Sequence, residues 1–167
     1  NNNSFYIKDS FSKIWFSENY SNWEKETFII LDYFKNTTNG IYIDIGGWIG
    51  ATPFYAASNF NKIIVLEPDI VAIKRLKENL SVNNFKNLKL IEKALSNKTG
   101  KSIFGGNGDL GNSESTLLVS QSDFFNYEGR HTTHWGENKN NIIIVETISI
   151  DQLILEENIN PKDISLI

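Results

Sequence analysis

From Trp23 onward the large apolar residues fall into two alternating rhythms. Trp23, Thr27, Ile30, Leu31 and Phe34 recur at helical spacing. Ahead of them Ser21 and Glu24 form an S-x-x-E capping box, and Asn39-Gly40 supplies a stop. IYIDI at 41–45 is short, β-branched and apolar on both faces up to its acid, the pattern of a strand buried between helix layers. GGWIGATP follows, with Thr52 and Pro53 opening a helix to about Ser58. KIIVLEP at 62–68 repeats the buried-strand pattern. Asp69 is then placed to cap a helix over 70–83, with Ile70, Ile73, Leu76 and Leu80 on neighbouring turns. LKLIEKAL at 88–95 reads as a third strand.

On either side the rhythm is less regular. The first 20 residues carry Phe5, Tyr6, Phe11, Trp15 and Phe16 without a clean period, and suggest an arm or short strands packed on the main domain. After a turn at Lys98-Thr99-Gly100, Ser102–Phe104 is a short strand, and Gly105 to Thr116 is a loop rich in Gly, Asn and Ser. Residues 120–141 are polar and irregular and hold His131 and His134. NIIIVETISI at 141–150 is a long strand, Asp151 caps a helix to Glu157, and ISLI at 164–167 opens another strand. Strand–helix–strand–helix–strand with short connections requires right-handed crossovers. The expected fold class is α/β with a doubly wound, mostly parallel sheet. Residues 1–20 are expected to be an N-terminal arm and residues 21–167 one domain.

Composition narrows the function classes. The 167 residues suit one domain, and 40% hydrophobic with 13% aromatic content is enough for a packed core. A net charge of −4 with only two arginines argues against tracking a nucleic-acid backbone, and there is no basic run for an anionic membrane. Cysteine is absent, so disulfides, thiolate metal sites and a Cys nucleophile are excluded. No apolar stretch reaches the roughly 18 residues of a spanning helix, and no leader pattern opens the chain, so a cytoplasmic location is expected. Methionine is absent even at position 1, so Asn1 is not expected to be the encoded start.

The chemistry concentrates at the first strand-to-helix turn, Asp44-Ile45-Gly46-Gly47-Trp48-Ile49-Gly50. In a doubly wound fold a ligand sits where this turn meets the carboxyl ends of the strands. A dinucleotide site wants G-x-G-x-x-G around a pyrophosphate. With Gly47 and Gly50 as its second and third glycines, Ile45 stands where the first must be. The remaining pattern is a strand-end acid, one residue, then a glycine loop, which suits a ligand with a cationic amino-acid portion and no phosphates. S-adenosylmethionine (SAM) is such a ligand. Glu67, ending the second strand, can accept two hydrogen bonds from a ribose diol. An NAD-dependent oxidoreductase and a non-catalytic binding module on the same fold are the competing readings.

At these residues the sequence resembles the FkbM-type SAM-dependent methyltransferases. The resemblance rests on IYIDIGGWIGATPFYAA, IIVLEPD, Leu76-Lys77-Glu78-Asn79, Ala94 to Gly100, and Thr147-Ile148-Ser149-Ile150-Asp151-Gln152-Leu153. It covers residues 22–167 in order. It implies a class I, Rossmann-like methyltransferase fold, SAM as cofactor, and O-methylation of a sugar or another small hydroxyl-bearing substrate. One departure is visible: the family's Gly-Ala-Asn-x-Gly is here Gly46-Gly47-Trp48-Ile49-Gly50, so an indole replaces a small amide. The resemblance also implies the strand order 3-2-1-4, with ISLI as strand four. It further implies a continuation beyond Ile167 that carries a carboxylate motif and shapes the substrate pocket.

The expected cofactor-binding residues are therefore Asp44, Gly46, Gly47, Trp48, Gly50, Glu67 and Pro68. Ala94 joins them from the end of the third strand, where adenine contacts are expected. His131 and His134 are candidate general bases for a hydroxyl acceptor. Spaced i, i+3 without a third partner, they do not form a metal site.

Overall fold

A computed structural model of the chain describes residues 4–37, 40–105, 109–113, 115–118 and 142–167. The central sheet has strands β1 (Ile41–Ile45), β2 (Lys62–Leu66), β3 (Leu88–Ile91) and β8 (Ile164–Leu166). They lie in the order β3-β2-β1-β8, and every neighbouring pair is parallel. ISL thus lies beside IYIDI, as the order 3-2-1-4 requires.

Because alternate strand residues face opposite ways, the two apolar sets of β1 and β2 build two cores. Tyr42, Ile63 and Val65 pack with Leu31 of α2 (Lys25–Thr37), Phe54 of α3 (Ala51–Ala56) and Leu76 of α4 (Ile70–Leu80). Ile43, Ile64 and Leu66 pack on the other face against Ile148, Ile159 and Leu153 of α5 (Ile150–Glu156). Helices on both faces of a parallel sheet make the fold doubly wound. Full burial of an aliphatic side chain contributes about 1.5–3 kcal/mol, and Ile43, Ile63, Ile64 and Val65 are completely buried. These central strands dominate the packing that holds the site in place.

A second sheet was not expected from the sequence. It has the order β4-β7-β5-β6, formed by Ala94–Leu95, Ile142–Ile148, Gly100–Gly105 and Thr116–Leu118. The stretch at 88–95 is consequently two strands rather than one. At Glu92 the chain leaves the central sheet through a tight turn closed by the Lys93 amide on the Ile91 carbonyl, and Ala94 then pairs with Thr147.

Three further local readings are corrected. Residues 10–18 form helix α1 (Ser10–Glu18), capped by Asp9, whose carboxylate accepts from the Ser12 amide at 2.6 Å and its hydroxyl at 2.7 Å. Ser21 lies in a 3-10 turn at Tyr20–Asn22 and does not cap α2, which starts at Lys25. Helix α5 is capped by Ser149, not Asp151. Buried Asn79 of α4 ties the N-terminal segment down: its side-chain oxygen accepts from the Lys8 and Asp9 amides, and its amide donates to the Ile49 carbonyl. No described helix is long and apolar enough to cross a membrane.

Candidate functional site

The site begins where β1 ends. The Gly46 and Gly47 amides both donate to the Leu66 carbonyl, at 2.8 and 3.2 Å, which stitches the first turn to β2. Gly46 has φ +84°, a conformation that costs an L side chain but not glycine. A Cβ built there would meet nothing within 4 Å, because it would project into an open cavity. That cavity, about 380 Å³, lies at the carboxyl ends of β1 and β2.

Two carboxylates form its floor. Asp44, 6% exposed, accepts from the Tyr42 hydroxyl at 2.9 Å and the Thr52 hydroxyl at 2.7 Å. Burial pushes its carboxyl up to about 6; the two hydroxyls oppose that rise and the charge of Glu24 adds to it. Burial likewise drives the Tyr42 hydroxyl well up, so Tyr42 serves as a donor. Glu67, 5% exposed, accepts from the Trp48 amide and from the Asp69 amide, both at 2.8 Å. Burial pushes Glu67 up to about 7 against those two bonds, with the Asp69 and Asp44 charges adding to the rise. One side chain thereby joins the turn after β1 to the turn after β2.

Trp48 has its own peculiar backbone, φ +44°, stabilised by that bond to Glu67. Its indole packs with Ile49 and Ala72 and stands edge-on to Trp15, centroids 4.9 Å apart. The large side chain is therefore absorbed by α1 and α4, and Gly46, Gly47 and Trp48 line the cavity.

The far wall comes from the loop after β5, and its anchor, Gly111, was not read from the sequence. The Gly111 amide donates to Asp69 at 2.6 Å. Its carbonyl accepts from the Trp48 indole at 2.8 Å and from Arg75 at 2.9 Å. Asp69 caps α4 with its other oxygen, accepting from the Val71 and Ala72 amides. Gly111 sits at φ +89°, and a Cβ there would lie 2.6 Å from Val71 and 2.8 Å from Arg75. Gly111→Ala is therefore expected to free this loop, at a cost of about 2–3 kcal/mol from strain and lost buried hydrogen bonds. Amide exchange at residues 109–113 should accelerate, and unchanged protection would contradict the anchor.

Asn112, Ser113, Ser115 and Phe104 complete the far wall, while Trp23, Glu24 and Thr27 close the side nearest α2. The described lining holds the carboxylates Glu24, Asp44, Glu67 and Asp69 and no basic side chain. Of the residues expected at the cofactor, Asp44, Gly46, Gly47, Trp48, Glu67 and Pro68 meet at this cavity. Gly50 instead precedes α3 with its amide on the Gly47 carbonyl. Ala94 lies in the second sheet, packed on Phe104 and Val145. Neither Gly50 nor Ala94 lines the wall. His131 and His134 lie outside the described residues.

No family model matches the chain, and no curated protein matches it. Among solved structures the chain is similar to the crystal structure of a proposed RNA methyltransferase from Pyrococcus horikoshii, with 22% sequence identity and a TM-score of 0.36. That match covers 53% of this chain and 44% of the archaeal protein, so it spans less than half of the relative's length.

Proposed function

We propose that the chain is a SAM-dependent methyltransferase of the FkbM type, acting on a hydroxyl oxygen of a small acceptor such as a saccharide. The observation that carries this reading is the cavity itself: two buried carboxylates flank a glycine turn open to a ligand, with no basic side chain on the described lining. Such a wall suits a ligand with a cationic end and a neutral diol. It opposes a pyrophosphate, because the Trp48 and Asp69 amides that could face phosphate oxygens are committed to Glu67.

The residues present fit SAM. Asp44 would take the ammonium end, Glu67 the ribose, and Gly46 would let the main chain approach closely. Each Glu67 oxygen accepts one amide and retains capacity for a hydroxyl donor. When bound, SAM supplies an electrophilic methyl and its own leaving group. The chain's part is alignment of acceptor and methyl, worth up to roughly 7–11 kcal/mol. Asn112, Ser113 and Ser115 offer neutral hydrogen-bonding groups on the far wall, where an uncharged polyol would be oriented.

Incubation of the full encoded protein with methyl-labelled SAM and a panel of saccharides tests this directly. Label is expected in an alkali-stable methyl ether. Label recovered in an alkali-labile ester or on nitrogen would overturn the acceptor assignment. Failure to label any hydroxyl compound would overturn the O-methylation reading.

A further inference from the structure

We propose that Glu24 joins Asp44 in holding the ammonium group of the cofactor's amino-acid portion, so that the segment Tyr20–Glu24 supplies one half of a two-carboxylate clamp. The inference rests on the SAM reading of the cavity and extends it to a residue outside the βαβ unit.

The segment is fixed where it crosses the site. The Tyr20 hydroxyl donates to the Ala51 carbonyl at 3.2 Å, at the start of α3. Trp23 stands edge-on to Trp15 at 5.3 Å, and Trp15 in turn meets Trp48 of the glycine turn. Glu24 follows at φ +38°, the left-handed region, immediately before α2. Its carboxylate accepts from the Thr27 hydroxyl at 3.3 Å, and Glu24 and Thr27 both line the cavity.

Asp44 and Tyr42 line the same cavity as Glu24, which is exposed, and the Glu24 charge adds a small part to the rise of the Asp44 carboxyl. None of the ion pairs among the described residues involves Glu24 or Asp44. Two carboxylates facing one space repel unless a cation comes between them. An ammonium group carries three donors and can bond acceptors on two sides at once. The glycine turn supplies the independent sign that a ligand belongs there: at Gly46 the main chain borders open space and no side chain fills it.

The test uses calorimetry with two probes. S-adenosylhomocysteine carries the ammonium group, and 5′-deoxy-5′-methylthioadenosine lacks the whole amino-acid portion. Glu24→Gln is expected to weaken S-adenosylhomocysteine by about tenfold, the scale of one charge-assisted hydrogen bond, and to leave methylthioadenosine unchanged. Glu24→Asn, whose side chain tolerates the left-handed backbone, should give the same split and guards against a folding defect in the first variant. Unchanged S-adenosylhomocysteine affinity would overturn the clamp and leave the methyltransferase reading standing. An equal loss for both probes would also overturn it, because Glu24 would then be acting on the nucleoside end or on the cavity as a whole. If the wild type binds neither probe, the SAM reading falls and the clamp falls with it.

Discussion

Glu67→Ala is expected to cost S-adenosylhomocysteine binding and fold stability together. The binding loss follows from two charge-assisted hydrogen bonds to a ribose diol, on the order of 2–3 kcal/mol or roughly 30–150-fold. The stability loss follows from the partners Glu67 already has. Its two oxygens satisfy the buried Trp48 and Asp69 amides, and alanine leaves both without an acceptor. An unsatisfied buried amide costs about 1–3 kcal/mol. Trp48 is the more sensitive of the two, because its φ of +44° is held by this bond. Removing a carboxylate that burial already penalises offsets part of the cost at high pH, so the variant should be most destabilised below about pH 4.5 and progressively less so as pH rises towards 7. Denaturant unfolding and calorimetry on the same folded variant check both halves. Unchanged affinity would remove Glu67 from the ribose site, and unchanged stability would remove it as the link between the two turns.

The second large effect is a pH dependence that reverses on ligand binding. Asp44 is raised to about 6 and Glu67 to about 7, chiefly by burial, from ordinary values near 4. Between about pH 4 and 7 the folded chain therefore binds more protons than the unfolded chain. Stability must fall as pH rises through that window and level off above it. A fall on the order of 2–3 kcal/mol is expected, since one pKa unit corresponds to 1.36 kcal/mol and water in the cavity screens part of each shift. The ammonium end of the ligand favours the ionised carboxylates, so S-adenosylhomocysteine should bind more tightly at pH 7.5 than at pH 5.5 and release protons on binding. Thermal unfolding across pH, with calorimetry in buffers of different ionisation heat, measures both. Stability that is flat from pH 4 to 7, or proton uptake on binding, would contradict the electrostatic account.

How much of this was legible in the sequence varies by element. β1, β2 and α4 could be read because their apolar runs are dense, their boundaries are marked by Asp44, Glu67 and Asp69, and their contacts follow from one βαβ unit. Asp44, Glu67, Gly46 and Gly47 could be placed at the strand ends for the same reason, whereas Glu24 and Asp69 were read only as helix-capping residues. Helix α1 was hidden because aromatic residues occupy more than one of its faces: Trp15 reaches Trp48 and Trp23 while Phe16 reaches Phe5 and Tyr20. The second sheet was hidden because β4 pairs with β7 from Ala94 to Thr147, and β5 pairs with β7 from Gly100 to Thr147 and Gly105 to Ile142, and no local pattern encodes pairings so distant in the chain. Gly111 looked like any glycine in a polar loop. Its role depends on Asp69, Trp48 and Arg75, which the fold brings together. Trp48 could be seen as an unusual residue in the turn, but its side-chain direction is set largely by Trp15, Ala72 and the Gly111 carbonyl, which the fold brings to it.

The central claim is that the cavity at the ends of β1 and β2 is a site for SAM and not for a dinucleotide. Isothermal titration of the folded chain with S-adenosylhomocysteine and, separately, with NAD tests it most directly. The account predicts one saturable site for S-adenosylhomocysteine and no binding heat for NAD. Binding of NAD in its place, or no S-adenosylhomocysteine binding by a chain that unfolds cooperatively, would contradict it.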